Sequence, residues 1–310
     1  ARANAGHKAI VHGELAPDRA DEYLFYQALL GSWPTDAMEE APPQFVQRMQ
    51  EYMLKAIKEE KVHTSWIHPL QEYDDAVTNF VGRTLTADNK RFLRWFLPFQ
   101  RRVAQAGVVN SLSQLVLKTV SPGVPDFYQG TELWDLNLVD PDNRRPVDYA
   151  TRRDDLQKFG PLLEGSSQPE PWRQTLTDAL NQWPTGQIKL FCTAAALNLR
   201  KRCSDLFLEG DYTPLQLRGR RGTSALALGR QRSRQAVIAV VPRLAARLGG
   251  SRSPFPLGNS AWGDTAVMLP PSLAERRFRN IFTGESMALG PTVPLASIFS
   301  VLPAALLLAE

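Results

Sequence analysis

Cysteine is nearly absent: Cys192 and Cys203 are the only two in 310 residues. That excludes a disulfide framework and a multi-cysteine zinc site, so both read as buried free thiols in a reducing compartment. Long apolar runs are absent as well. Residues 236–241 and 304–309 fall far short of the ~20 needed to cross a bilayer, and no signal peptide is recognisable. A soluble, cytoplasmic protein with no membrane partner is expected. The chain opens Ala1-Arg2-Ala3-Asn4 without a methionine, and its first strong helical pattern follows Asp18. It reads as a piece of something longer.

The composition, 43 % hydrophobic and 22 % charged, is that of a globular protein with room for one large core or two smaller ones. Charge is uneven. The net is +4, yet from Ser204 onward twelve Arg face seven Asp or Glu. Arg218, Arg220, Arg221, Arg230, Arg232 and Arg234 sit among glycines and alternating apolar residues, without the aromatic interleaving of a single-strand-binding surface. They read as solvated strand edges and turns, and no nucleic-acid partner is expected.

Helical periodicity dominates the first two hundred residues. Asp18 is a predicted N-cap, with Asp21 and Glu22 in the first turn and Tyr23, Tyr26 and Leu30 on one face. A second helix follows Pro42 and Pro43, repeating Phe45, Met49, Tyr52, Met53 and Ile57 opposite Arg48, Lys55 and Glu59. A third carries Tyr73, Val77, Phe80 and Val81. A fourth has a stripe of Phe92, Trp95, Phe96, Phe99 and Val103 that reads as core, and Gly107 separates it from a fifth over 108–120. A short apolar segment, 124–128, then reads as a strand feeding a polar loop that runs to Tyr149. Helices are expected over 154–163 and 172–200, with an exposed excursion at 165–169 between them. Beyond residue 204 the pattern becomes β, with runs at 225–228, 236–241 and 265–269.

The loop after 124–128 holds the chemistry. Glu132, Trp134, Asp140, Asp142, Asn143, Arg144 and Arg145 follow Tyr128 within eighteen residues. Carboxylates, Asn and Arg make directed hydrogen bonds to hydroxyl groups, while Trp and Tyr offer an apolar face to a sugar ring. Glu132 is the better cleft candidate and Asp135 reads as loop architecture. For Asp140, Asp142 and Asn143, carbohydrate contacts and loop-bracing ion pairs both remain open. A calcium loop is disfavoured, because Arg144 stands where an oxygen ligand and glycine would continue it. His63 and Trp66, in the 63–69 loop, belong either to a cleft gripping a sugar or to a structural turn closed by Pro69.

The run Gly123-Val124-Pro125 through Tyr128-Gln129-Gly130-Thr131-Glu132 resembles the eighth-strand segment of the α-amylase superfamily barrel (glycoside hydrolase family 13). Asp140-Pro141-Asp142-Asn143-Arg144-Arg145-Pro146 is similar to its loop over the substrate cleft. The wider wording, Lys61 to Trp66, Pro98 to Arg102 and Asn143 to Tyr149, is closest to the maltooligosyltrehalose synthase family. That resemblance covers most of the chain and is tightest over 121–149.

The resemblance implies an α+β multi-domain chain. Residues 1–120 would be a helical region, 121–203 the last strand and helices of a (β/α)8 barrel, and 204–310 a C-terminal antiparallel β-sandwich. It implies an isomerase acting on maltooligosaccharides, turning the terminal α-1,4 bond into an α,α-1,1 bond without any cofactor or metal, in trehalose biosynthesis. It also implies that nucleophile and acid/base come from barrel strands outside this sequence, in an N-terminal barrel half that this chain needs as partner. The chain alone would then be inactive. Two alternatives stay open, a hydrolase or transglycosylase of the same superfamily and a non-catalytic carbohydrate-binding module.

Overall fold

The computed structural model describes residues 1–37, 39–139, 142–164, 169–248 and 254–310. The chain forms two compact units, the first made of 1–104 with 136–146 and the second of 105–135 with 147–310.

In the first unit a hairpin of β1 (Ala9–Val11) and β2 (Glu14–Ala16) precedes α1 (Arg19–Ser32). Asp18 caps α1, its Oδ1 accepting the Asp21 amide at 2.8 Å. Next comes α2 (Pro43–Glu60), whose prolines suit a helix start because the first-turn amides lack intrahelical acceptors. It buries Phe45, Met49, Met53 and Ile57 on one face, each contributing about 1.5–3 kcal/mol by leaving water. Lys61, in the left-handed region at φ 63°, ends it by returning its N–H to Ile57 O. Then α3 (Gln71–Thr84) adds Tyr73, Val77, Phe80 and Val81 to the same core.

One helix, α4 (Lys90–Val120), replaces the two expected on either side of Gly107. A glycine inside a helix costs roughly 1 kcal/mol relative to alanine, and burial of Val108, Val109, Leu112, Leu115 and Val116 just beyond it outweighs that. The aromatic stripe of α4 also differs from expectation. Phe92 and Phe96 are core, whereas Trp95 and Phe99 on the adjacent face are 77 % and 54 % exposed.

The second unit contains α5 (Tyr149–Lys158), α6 (Gly160–Leu163), α7 (Pro169–Asn181), α8 (Gln187–Arg202) and α9 (Ser204–Glu209). The expected helix over 172–200 is broken between α7 and α8 by a 3-10 turn, Trp183–Thr185, and by Gly186 at φ 76°. Pro184 and a left-handed glycine cannot continue an α-helix. Of the predicted excursion, 165–168 lie outside the described residues.

The β-strands are β3 (Asp211–Pro214), β4 (Gln216–Arg218), β5 (Ala225–Arg232), β6 (Gln235–Pro242), β7 (Ala266–Met268), β8 (Arg276–Asn280), β9 (Ser286–Leu289), β10 (Thr292–Pro294) and β11 (Ala305–Ala309). They form a six-stranded sheet, β3-β5-β6-β11-β8-β9, and a three-stranded sheet, β10-β7-β4. All pairings are antiparallel. Ile238, Val240 and Leu307 of the larger sheet and Val267 and Val293 of the smaller share one apolar cluster with Trp262 and Phe299.

Two further expectations are corrected. Residues 124–128 are in no strand, and Val124 is 91 % exposed. A strand's amides and carbonyls need a neighbouring strand, and among the described residues none pairs there. Arg230 is not a solvated edge residue but is wholly buried. Its guanidinium donates to the carbonyls of Val120, Leu206, Phe207, Gly210 and Asp211, around the C-terminal ends of α4 and α9, where carbonyls run short of intrahelical donors.

Candidate functional site

The residues singled out from the sequence fall into both units, and each group is described within its own. In the second unit, Tyr128 is half exposed, and its carbonyl accepts from the amide and hydroxyl of Thr131. Glu132 Oε2 receives Arg152 Nε at 3.0 Å, so its partner is Arg152 of α5. Trp134 Nε1 donates to the Trp183 carbonyl at 2.5 Å. Behind this segment, Lys189 of α8 donates to the Leu133 carbonyl at 2.8 Å, with its ammonium 5.7 Å from the Trp134 ring centre. Burial pushes Lys189 down to about 8. The like charge of Lys118 adds to that, while Asp135 and Glu132 oppose it. Arg200 braces the entry to the segment through the carbonyls of Thr119 and Gly123.

In the first unit, Asp142 begins a 3-10 turn, Asp142–Arg144, and its carboxylate is the hub of the loop. Arg48 grips it with Nε at 2.8 Å and Nη2 at 2.6 Å, the Leu138 amide donates at 2.7 Å, and Arg145 Nε lies 2.9 Å away. Burial alone would raise this carboxyl, but the Arg48 hydrogen bonds, the Leu138 amide and the two guanidinium charges outweigh it and hold Asp142 below the usual carboxylate range. Arg145 also donates to Asn137 Oδ1 at 2.5 Å. Asn143 and Arg144 are in the same turn. Asp140 lies outside the described residues.

His63 Nε2 is 3.0 Å from Asp18 Oδ2, and its ring stacks on Tyr73 with centroids 4.4 Å apart. It therefore supports the N-cap of α1. Trp66 is 59 % exposed with Lys58 Nζ 4.9 Å from its ring centre, so a large part of the indole faces solvent. Among the described residues, no group of three or more His, Cys, Asp or Glu is placed to hold a metal ion, and no helix is long and apolar enough to cross a membrane.

No protein-family model matches the chain. Putative maltooligosyl trehalose synthases of two Mycobacterium tuberculosis strains, CDC 1551 / Oshkosh and H37Rv, are 32 % identical over 252 residues, 80 % of this chain. The solved structure of maltooligosyltrehalose synthase from Arthrobacter ramosus superposes on the whole chain with a TM-score of 0.74 at 29 % identity. Over the length it spans, this chain is similar to maltooligosyl trehalose synthases. A hypothetical synthase from Sulfolobus tokodaii matches 94 % of the chain with a TM-score of 0.64 at 28 % identity. The chain spans 28 % of the length of the mycobacterial synthases and 34 % of the Arthrobacter synthase.

Sequence reasoning found the acidic and aromatic residues of this synthase-like loop and Arg145 beside Asp142, but not the more distant cations that hold them. Arg48 reads as one polar position on an amphipathic face, and Arg152 as one of two adjacent arginines. Lys189 carried the stronger signal, as a single cation between the apolar residues Ile188 and Leu190 of α8.

Proposed function

We propose that these residues are the C-terminal portion of a maltooligosyltrehalose synthase, which in the complete enzyme converts the reducing-end α-1,4 bond of a maltooligosaccharide into an α,α-1,1 bond. The observation that carries this reading is the match to the Arthrobacter ramosus synthase over the full chain, with 29 % of residues identical. The motif between Gly123 and Pro146 agrees with it.

In this reading the complete enzyme is a glycoside hydrolase family 13 isomerase. Residues 121–203 are the end of its (β/α)8 barrel, with 124–128 completing the last strand once neighbouring strands are supplied. Residues 204–310 are its C-terminal sandwich, supported by the two antiparallel sheets around one cluster, and 1–120 its helical region. The enzyme works in the cytoplasm.

The reaction needs a carboxylate nucleophile and a carboxylic acid about 5–5.5 Å apart around an oxocarbenium-like transition state. We assign both to the part of the enzyme beyond these residues, so the chain alone is inactive. Its own contribution is the substrate loop. In the second unit Glu132 meets sugar hydroxyls while Tyr128 and Trp134 offer ring faces; in the first unit Asn143, Arg144 and Arg145 meet hydroxyls, Trp66 offers a ring face, and Asp142 and His63 hold their loops in shape.

The test is product analysis with the complete enzyme and maltopentaose. Trehalose-ended product with loss of reducing ends and little free glucose is expected. Glucose and new reducing ends would instead make the enzyme a hydrolase of the same superfamily.

A further inference from the structure

Residues 130–135 are held from behind by several elements of the second unit. Arg152 of α5 donates to the Gly130 carbonyl at 2.8 Å and to Glu132 Oε2 at 3.0 Å. Lys189 of α8 donates to the Leu133 carbonyl, and Trp134 is tied to Trp183. Gly186 passes close beneath, since a Cβ there would lie 3.1 Å from Leu133 Cβ and 3.2 Å from the Trp134 amide nitrogen. Lys189 is the costly member of this arrangement. It is partly buried, and an ammonium there gives up hydration that an apolar side chain of similar length would not require.

We propose that Lys189 is a positioning residue, which through Leu133 and Trp134 sets the place of Glu132 and the Trp134 ring where they meet the glucan. The proposal rests on the chain being part of a maltooligosyltrehalose synthase.

The charged groups facing Lys189 are Lys118 from α4, Glu132 and Asp135 from the segment itself, and Arg152 of α5 on the far side of Glu132. As pH rises through about 8, the value to which burial and Lys118 push it, Lys189 loses its charge. A neutral amine keeps N–H donors, so its bond to Leu133 weakens rather than disappears. The Trp134 ring and both carboxylates lose a neighbouring cation. The loss of a cation 5.7 Å from the ring centre reports that Lys189 titrates beside Trp134, and amide exchange over 130–135 reports whether it holds the segment.

The test labels the 310-residue chain with 5-fluorotryptophan and follows the Trp134 fluorine resonance, assigned with Trp134→Phe, across about pH 6.5 to 10, the span of a depressed lysine. The expected result is a shift with its midpoint near 8, lost in Lys189→Met and in Lys189→Arg, whose guanidinium stays charged. Amide exchange over 130–135 should rise about tenfold in Lys189→Met and be largely restored in Lys189→Arg. A flat Trp134 resonance in the native chain, or a titration that persists in either variant, would overturn the proposal. Should Lys189→Met fail to fold by circular dichroism, Lys189→Arg decides alone. In the complete enzyme, Lys189→Met should raise KM for maltopentaose about tenfold with a smaller change in kcat. The two readings fail separately: a complete enzyme that makes no trehalose-ended product refutes the function while the fluorine result still judges the positioning role.

Discussion

The two ends of the polar loop each rest on a carboxylate held by an arginine, and they are held very differently. The Asp142 side chain is 12 % exposed and receives two bonds from Arg48, one from the Leu138 amide and a contact from Arg145. The Glu132 side chain is 31 % exposed and is gripped on one oxygen by Arg152. A carboxylate engaged on both oxygens by its own surroundings spends its hydrogen-bonding capacity on shape. One held from a single side is oriented and still has acceptor capacity for a hydroxyl group. The comparison separates a carboxylate spent on bracing its loop from one with acceptor capacity left for a ligand.

Arginine truncation tests this ordering, with Arg230 as the extreme case. Arg230→Ala would take the guanidinium from five carbonyls, of which that of Leu206 keeps the Gly210 amide, and should destabilise the second unit by about 4 kcal/mol in urea unfolding. Arg48→Ala strands a nearly buried Asp142 and should cost the first unit about 3 kcal/mol. Arg152→Ala should cost about 1 kcal/mol, because Glu132 can turn to water. Equal losses for Arg48→Ala and Arg152→Ala would erase the contrast between the two ends.

Acid titration sharpens the same contrast. The folded-state pKa of Asp142 lies below its ordinary value of 3.8, so the folded state binds fewer protons than the unfolded one in that range. Its stabilisation is fully present above the ordinary value and is lost as pH falls through the folded value. Arg48→Ala should therefore move the acid midpoint of the first unit, followed by circular dichroism, to higher pH. The smallest stability effect belongs to Trp66→Ala, within about 0.5 kcal/mol for so exposed a residue. In the complete enzyme it should nevertheless weaken maltooligosaccharide binding several-fold by calorimetry.

Local signals in the sequence placed α1, α2 and α3, since caps, prolines and apolar spacing all act within a few residues, but the face of α1 was misread: Phe25 and Leu29 are its buried residues, while Tyr23, expected on the apolar face with Tyr26 and Leu30, is exposed. The same signals misread α4, where burial beyond Gly107 outweighed the glycine. They also missed the break between α7 and α8, although Pro184 and Gly186 were visible. Segment 124–128 shows the opposite limit: its apolar pattern is that of a strand, but a strand exists only where another pairs with it. The loop's carboxylates and aromatics were legible because they cluster in sequence. Their distant partners were not, because Arg48 lies 94 residues from Asp142, Lys189 lies 56 from Leu133 and Arg152 lies 20 from Glu132. Contacts at such separations leave no periodic trace.

The central claim is that these residues supply the substrate loop of a maltooligosyltrehalose synthase while the reacting carboxylates lie elsewhere in the enzyme. The most direct measurement incubates maltopentaose with the 310-residue chain, with the remaining part of the enzyme and with both together, following reducing ends and free glucose. Loss of reducing ends only in the combined sample, with little glucose, is the predicted result. Turnover by the 310-residue chain alone, or glucose as the main product of the combination, would contradict it.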